Sequence, residues 1–323
     1  MLKKLLIVLP CYNEEEILPY SIKTIKNLLE KMIKEKLISP QSRACFVNDG
    51  STDKSWEIIK KECHKKESLF SGINLSKNFG HQSAILAGMY DSEADLYVTI
   101  DTDLQDNPEC IVEMIEKIKQ GNDIVYGVRK QRTTDTFFKR ITALTYYKFL
   151  SLLGVKIIQN HADFRMMTKR VVEQLKRFPE KNLFLRAIVP LVGFKTDNVY
   201  YDRSKRIAGE TKYPLSKMVA LAWNGISSFS IIPLRLVTFT GFTVCFISVI
   251  FLLILFYRWS VGGTIVGWAS TITVITVFSG IQILSIGIIG EYIAKIFIEV
   301  KDRPLYIIDE KIGFDKKKLD KTK

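Results

Sequence analysis

Leu96–Glu109 reads LYVTIDTDLQDNPE, and this stretch decides the fold. Leu96 to Ile100 is a short apolar run, read as a buried strand. It breaks into an acidic turn at Asp101. Residues i and i+2 of an extended segment point to one face, so Asp101 and Asp103 aim together. Two carboxylates on one face repel unless a cation lies between them or one takes a proton. Hard oxygen ligands suit Mg²⁺ or Mn²⁺, ions that commonly bridge to a substrate's phosphates, and Gln105 offers a third oxygen. A DxD alone is a weak signal, since acidic turns after strands are usually only solvated.

Its setting makes it specific. Leu5–Leu9, Ala44–Val47, Ile73–Leu75, Leu96–Ile100 and Asp123–Tyr126 read as strands. Helical stretches separate them: Glu15–Lys36, Ser55–His64, Gln82–Ser92 and Pro108–Gln120. Such alternation means βαβ crossovers and a mostly parallel sheet, an α/β fold. Polar clusters follow the strands directly at Cys11–Glu14, Asn48–Asp53 and Asp101–Asp106. Ligands of open α/β sheets bind beyond the carboxyl ends of the strands, so these clusters should share one crevice.

The composition separates two kinds of chain. Of 323 residues, 47 are Lys or Arg and 34 are acidic, a formal charge of +13. That balance fits phosphate-bearing ligands or an anionic membrane surface. A nucleic-acid partner is not expected, because no interleaved basic-aromatic motif is present. Five scattered cysteines and three histidines without ligand spacing exclude a disulfide scaffold and a His-based metal site. The opening MLKKLLIVLPC is too short in its apolar run for a secretory signal and reads as the first strand. Between residues 236 and 290 the only charge is Arg258. Leu236–Tyr257 and a stretch from about Ile265 to Gly290 are each long enough to cross a bilayer. Basic residues flank the pair on its outer sides, which places both termini in the cytoplasm. The expected organisation is therefore a cytoplasmic domain over 1–228, two transmembrane helices over 229–292 and a basic cytoplasmic tail over 293–323. FFKRITALTYYKFLSLL, 137–153, resembles an interfacial amphipathic helix; with 217–230 it would form a platform at headgroup level.

The motifs PCYNE (10–14), VNDGSTD (47–53), LSKNFGHQSAILAGM (75–89), DTDLQDNPE (101–109), ADFRMM (162–167) and AGETKYPLSKM (208–218) occur in one order. Together they resemble the family 2 glycosyltransferases of GT-A fold, a Rossmann-like nucleotide-sugar-binding architecture. With two C-terminal spans, the chain is similar to the polyisoprenyl-phosphate glycosyltransferases, which include bacterial glucosyltransferases of O-antigen modification and dolichyl-phosphate mannose synthase. The resemblance implies that Pro10, Tyr12, Asn13 and Glu14 line the nucleoside and that Asp49 hydrogen-bonds the base. It puts Lys77 near the nucleotide, and Asp101, Asp103 and Gln105 on a Mg²⁺ or Mn²⁺ ion at the diphosphate. Asp163 takes the place of the catalytic carboxylate, and Arg129, Arg140, Arg206 and Lys212 are candidates for the acceptor phosphate. Asn48, Thr102 and Asn107 depart from the commoner motif residues without removing a ligand.

The reaction so implied is inverting transfer of a hexose, glucose from UDP-glucose first, to polyprenyl (undecaprenyl) phosphate at the cytoplasmic leaflet. N-acetylglucosamine, galactose or GDP-mannose are the alternative donors. A processive polysaccharide synthase is a rival, but it carries a QxxRW motif, and the only Arg-Trp pair here is Arg258-Trp259. A membrane scaffold on a decayed transferase fold is the non-enzymatic rival. Plain structural readings stand beside each candidate: Asp49-Gly50-Ser51 as a turn, Arg129 and Arg140 as a membrane-facing surface, His81 as a packed helix-start residue. Gly280, Gly287 and Gly290 permit close helix association, and a homo-oligomer is expected.

Overall fold

The computed structural model of the chain describes residues 2–130, 161–181, 183–202, 232–261 and 267–314. The chain divides into two compact units. The first holds an eight-stranded sheet: β1 (Leu5–Cys11), β2 (Arg43–Asn48), β3 (Phe70–Leu75), β4 (Leu96–Thr99), β5 (Ile124–Arg129), β6 (His161–Thr168), β7 (Thr196–Tyr201) and β8 (Ile308–Ile312). Among the described residues six helices go with it: α1 (Leu18–Lys34), α2 (Ser55–Cys63), α3 (His81–Tyr90), α4 (Cys110–Lys119), α5 (Lys169–Leu175) and α6 (Leu185–Leu191).

The strand order is β7-β5-β6-β4-β1-β2-β3-β8. β1 pairs in parallel with β2 on one side and β4 on the other. The chain thus winds outward in both directions from β1, and the switch point lies between β1 and β4, where the acidic turn emerges. The first four strands are buried along nearly their whole length. This is why they read as continuous apolar runs rather than as alternation. α1 packs Leu18, Ile22, Ile25, Leu29 and Met32, spaced at helical period, into the same core as Leu5, Ile7 and Leu9.

Three strands lie beyond the alternating pattern. β6 runs antiparallel to both β4 and β5, and β7 pairs in parallel with β5. In β6 the pleat sends Phe164 and Met166 to the core and leaves Asp163 and Arg165 on the opposite face. β8 pairs antiparallel with β3. The segment expected to be tail therefore returns to the sheet.

The second unit holds α7 (Ile232–Ser260) and α8 (Trp268–Val300). Their windows Ile232–Phe251 and Val277–Val300 have mean hydropathies of 2.0 and 1.7, long and apolar enough to cross a membrane. Large apolar side chains stand exposed along both, Phe242 and Ile283 among them. The boundary expected at residue 292 is not an element boundary. α8 continues through Glu291 and Lys295, which are four apart on a helix and suited to each other, and ends at Val300. The expected amphipathic stretches 137–153 and 217–230 and the lysine-rich end lie outside the described residues.

Candidate active site

Three loops meet at the carboxyl ends of β1, β2 and β4, and their polar residues are bonded chiefly to one another. Asn13, with a left-handed φ of 53°, takes the N–H of Thr52 on its Oδ1 (2.9 Å) and gives its own N–H to Ser51 Oγ (2.9 Å). The Glu14 N–H donates to Ser55 Oγ (2.9 Å), and the Glu15 N–H to Asp53 Oδ2 (3.0 Å). The turn after β1 is thereby sewn to the turn after β2. Asn13 braces the site as well as bordering it. Of the four residues expected at the nucleoside, Tyr12 presents its ring, 47% exposed, while Pro10 is buried in β1.

Asp49 performs the same service for the SKNFG loop. Its Oδ1 accepts the N–H of Phe79 (2.7 Å) and its Oδ2 that of Gly80 (2.9 Å). Burial pushes its carboxyl up, against the pull of these two bonds. Gly50 has φ +66°, and a Cβ there would come 2.4 Å from the Lys77 carbonyl carbon. Only glycine lets the two loops close this far. The turn reading and the ligand reading of Asp49-Gly50 thus converge: the pair places Lys77, whose ammonium lies 5.1 Å from the Phe79 ring centre.

The acidic turn is pinned from below. Thr102 Oγ1 donates to the Pro10 carbonyl (2.8 Å) and lies 3.0 Å from Cys11 Sγ, while Ser21 Oγ donates to the Thr102 carbonyl (2.5 Å). The middle residue of the DxD is therefore a fastener, and its flanking carboxylates turn outward from a fixed base. The Gln105 N–H donates to Asp103 Oδ1 (3.3 Å), and Gln105 is buried. Asp101 Oδ1 is shielded from solvent yet takes no hydrogen bond. Burial, with the carboxylates of Asp163, Asp106 and Asp103, pushes Asp101 up to about 6, against the opposing pull of His81. An unsatisfied buried carboxylate oxygen among like charges is what a cation site lacks only its cation to complete. Among the described residues no three His, Cys, Asp or Glu side chains cluster as a full ligand set. Two carboxylates completed by substrate phosphates and water suit Mg²⁺ or Mn²⁺.

Across from Asp101 stands Asp163. Its Oδ1 accepts from Arg165 (2.5 Å) and its Oδ2 from Arg186 (3.1 Å), while Thr99 Oγ1 donates to its carbonyl. Burial alone would raise this carboxyl; the guanidinium charges of Arg186 and Arg165 outweigh it and hold the group far below the usual range. His81, the first residue of α3, sits between the two acids, with Nε2 3.4 Å from Asp101 Oδ1 and 3.7 Å from Asp163 Oδ2. It faces the site and is no mere packed helix start.

The sequence pointed to Asp101, Asp103, Asp163 and the loops that carry them, and these come together. Arg129 is different. It donates to Asp106 (3.1 Å), a buried carboxylate, so its charge is matched within the protein instead of standing open for an acceptor phosphate. Arg140, Arg206 and Lys212 lie outside the described residues. Arg165 was within reach of sequence reasoning, since it is two residues from Asp163 on one strand face. Arg186 gave no such signal; α6 brings it in from 23 positions away.

Residues 6–176 match the profile of Glycosyl transferase family 2. The chain is 48% identical over 307 residues to the glycosyltransferase YkoT of Bacillus subtilis (strain 168), spanning 94% of this chain and 91% of that one. It is 39% identical over 312 residues to the prophage bactoprenol glucosyl transferase homolog of Escherichia coli (strain K12), spanning 94% and 98%. Among solved structures, the mannosyltransferase PcManGT of Pyrobaculum calidifontis, in complex with GDP-Man and Mn²⁺, superposes with a TM-score of 0.46. It shares 11% identity, over 94% of this chain and 89% of that one.

Proposed function

The chain belongs to glycosyl transferase family 2, and from that premise we propose that it moves glucose from UDP-glucose to polyprenyl phosphate at the cytoplasmic face of the membrane. The choice of glucose and of a bactoprenol-type acceptor is supported by the relatives that match over nearly the whole chain. One observation carries the chemistry: the buried, unbonded oxygen of Asp101 stands beside an ionised Asp163, with His81 between them.

In the proposed reaction an oxygen of the acceptor phosphate attacks the anomeric carbon. The bond from that carbon to the donor's diphosphate breaks, the nucleoside diphosphate leaves with the electron pair, and the configuration inverts. Asp101, Asp103 and Gln105 would hold Mg²⁺ or Mn²⁺, whose charge stabilises the departing diphosphate. The acceptor phosphate, with a second pKa near 6, is mostly dianionic at pH 7 and needs no base. Asp163 is unsuited to be one. Held ionised by Arg165 and Arg186, it is far weaker as a base than the phosphate it would serve. Its part is to orient the acceptor and to stabilise positive charge developing at the sugar ring.

Membrane placement follows from the exposed apolar faces of α7 and α8. β1 precedes these helices and β8 follows them, yet both belong to one sheet. If both helices cross the bilayer, they must form a hairpin that returns the chain to the side it left. The basic residues Arg235, Lys301 and Arg303 flanking the helices support a cytoplasmic location for that side.

A panel of UDP- and GDP-sugars with undecaprenyl phosphate and Mn²⁺ tests the donor: label should reach the lipid from UDP-glucose above all others. Preference for GDP-mannose would overturn the nucleotide and sugar assignment. Asp163→Asn should lose about 100-fold or more in turnover at every pH from 6 to 9. Near-full turnover in that variant would remove any need for the charge.

A further inference from the structure

We propose that His81 binds the leaving group, its Nε2–H donating to an oxygen of the donor's β-phosphate. The proposal rests on the reading of this crevice as a transfer centre and gives the imidazole a part in it. Nε2 lies 3.4 Å from Asp101 Oδ1 and 3.7 Å from Asp163 Oδ2. Two carboxylates facing one ring nitrogen favour the tautomer that carries its hydrogen there. The ring therefore stands as a donor aimed at the gap between the two acids. Its side chain is 44% exposed, so a ligand can reach it.

The two acids mark the ends of the bond that breaks. Asp101 belongs to the turn that would hold the cation on the diphosphate, and Asp163 stabilises charge at the anomeric carbon. An oxygen of the β-phosphate joins those two centres, and it gains negative charge as the bond breaks. A donor between the acids lies beside that oxygen, where its hydrogen bond strengthens as the charge develops. The electron pair of the carbon–oxygen bond stays with the diphosphate, and the imidazole keeps its hydrogen. The ring is also fixed through both its chain neighbours. Asp49 Oδ2 accepts the N–H of Gly80 (2.9 Å), and Gln82 Oε1 accepts the N–H of Leu185 (2.8 Å). Arg165, itself on Asp163, donates to the carbonyl of the same Leu185 (3.1 Å). The start of α3 is thus fastened to the loop after β2 on one side and to the surroundings of Asp163 on the other. Such fastening preorganises the donor, which then needs no rearrangement at the moment of reaction.

Calorimetric titration of the full chain in detergent micelles, with Mn²⁺ present, isolates the β-phosphate by comparing UDP with UMP. His81→Leu should shrink the affinity advantage of UDP over UMP by about fivefold or more, as loss of a hydrogen bond to a charged group does. His81→Gln, whose amide can still donate, should shrink it less. A smaller change than this in His81→Leu would overturn the proposal, whether both nucleotides bind as before or both weaken alike. Equal weakening is what loss of a metal ligand or of the loop's shape would give. His81→Gln shrinking the advantage as much as His81→Leu would also overturn it. Should His81→Leu fail to fold, His81→Asn, whose amide falls short of the Nε2 position, takes its place under the same criterion. If the unmodified chain prefers guanine nucleotides, GDP and GMP are the pair, since the phosphate and not the base is read. The titration needs no turnover. A chain that shows the expected shift but transfers sugar to no lipid would refute the acceptor reading and leave the assignment of His81 standing. A chain that binds neither pair would refute the functional reading, and the role of His81 with it.

Discussion

Asp101 places a carboxylate where, without a metal, burial and the neighbouring carboxylates outweigh the pull of His81. Replacing it by Asn removes the repulsion from Asp103, Asp106 and Asp163 while keeping the shape. The expected outcome is a metal-free variant that melts higher than the unmodified chain yet loses about 100-fold or more in transfer. Scanning calorimetry with EDTA, beside a transfer assay, reads both. The sign of the pH effect follows from the same group. Its folded value of about 6 lies above the ordinary 3.8, so the folded chain keeps its proton to higher pH than the unfolded chain does. Without metal, this residue's contribution should therefore turn against folding as pH rises from about 4 to 6. Mn²⁺ should reverse the loss. Gly50→Ala makes a second prediction. A left-handed φ and a Cβ 2.4 Å from the Lys77 carbonyl carbon should together cost more than about 2 kcal/mol, since αL alone costs roughly 1–2 and the clash with backbone adds to it. Urea unfolding would show it, with a raised KM for the nucleotide sugar. At this scale the sequence was readable where chemistry follows the pleat, as for Asp101 and Asp103. It was silent where a side chain arrives by docking, as Arg186 does through Leu185. Asp49 falls between: its type and place were legible, but its hold on the Phe79 and Gly80 amides depends on two loops meeting.

β8 is the element that the sequence concealed. IDEKI alternates weakly and follows a long helix, so nothing local separates it from a solvated tail. Its partners come from far away: Trp56 Nε1 donates to Glu310 (3.2 Å), Asn74 to Asp309 (3.0 Å), and both Tyr306 and Lys311 to Asp91 (2.7 and 2.6 Å). The strand covers the edge of β3, which would otherwise offer unpaired backbone groups. The Ile307 carbonyl also accepts the N–H of Ser76, at the head of the loop bearing Lys77. Deleting residues 303–323 should therefore lower the melting temperature by several degrees and raise the KM for nucleotide sugar, with aggregation on warming. Tyr306→Phe, which removes one hydrogen bond, should cost about 1 kcal/mol. The parallel core was legible because buried strands and amphipathic helices announce themselves locally. The antiparallel additions were not, because β6 carries a buried ion pair and β8 a polar surface.

For the whole molecule, the central relation is between a soluble-looking sheet and two apolar helices of 29 and 33 residues. A helix of 33 residues is about 50 Å long, more than the roughly 30 Å of hydrocarbon. α8 should therefore extend beyond the bilayer, with Glu291, Lys295 and Glu299 towards the cytoplasmic interface. A cysteine placed at Ser260, in a cysteine-free background, should react with an impermeant maleimide added outside intact cells, and one at Lys311 should not. Labelling at Lys311 would contradict the hairpin. Purified chain, undecaprenyl phosphate, Mn²⁺ and UDP-glucose labelled in the sugar should give an acid-labile, lipid-extractable product. Its formation should depend on the lipid phosphate, stop with EDTA and fail in Asp101→Asn. Label that stays in the aqueous phase with every ingredient present, while UDP still binds, would contradict the assignment of a prenyl phosphate as the acceptor.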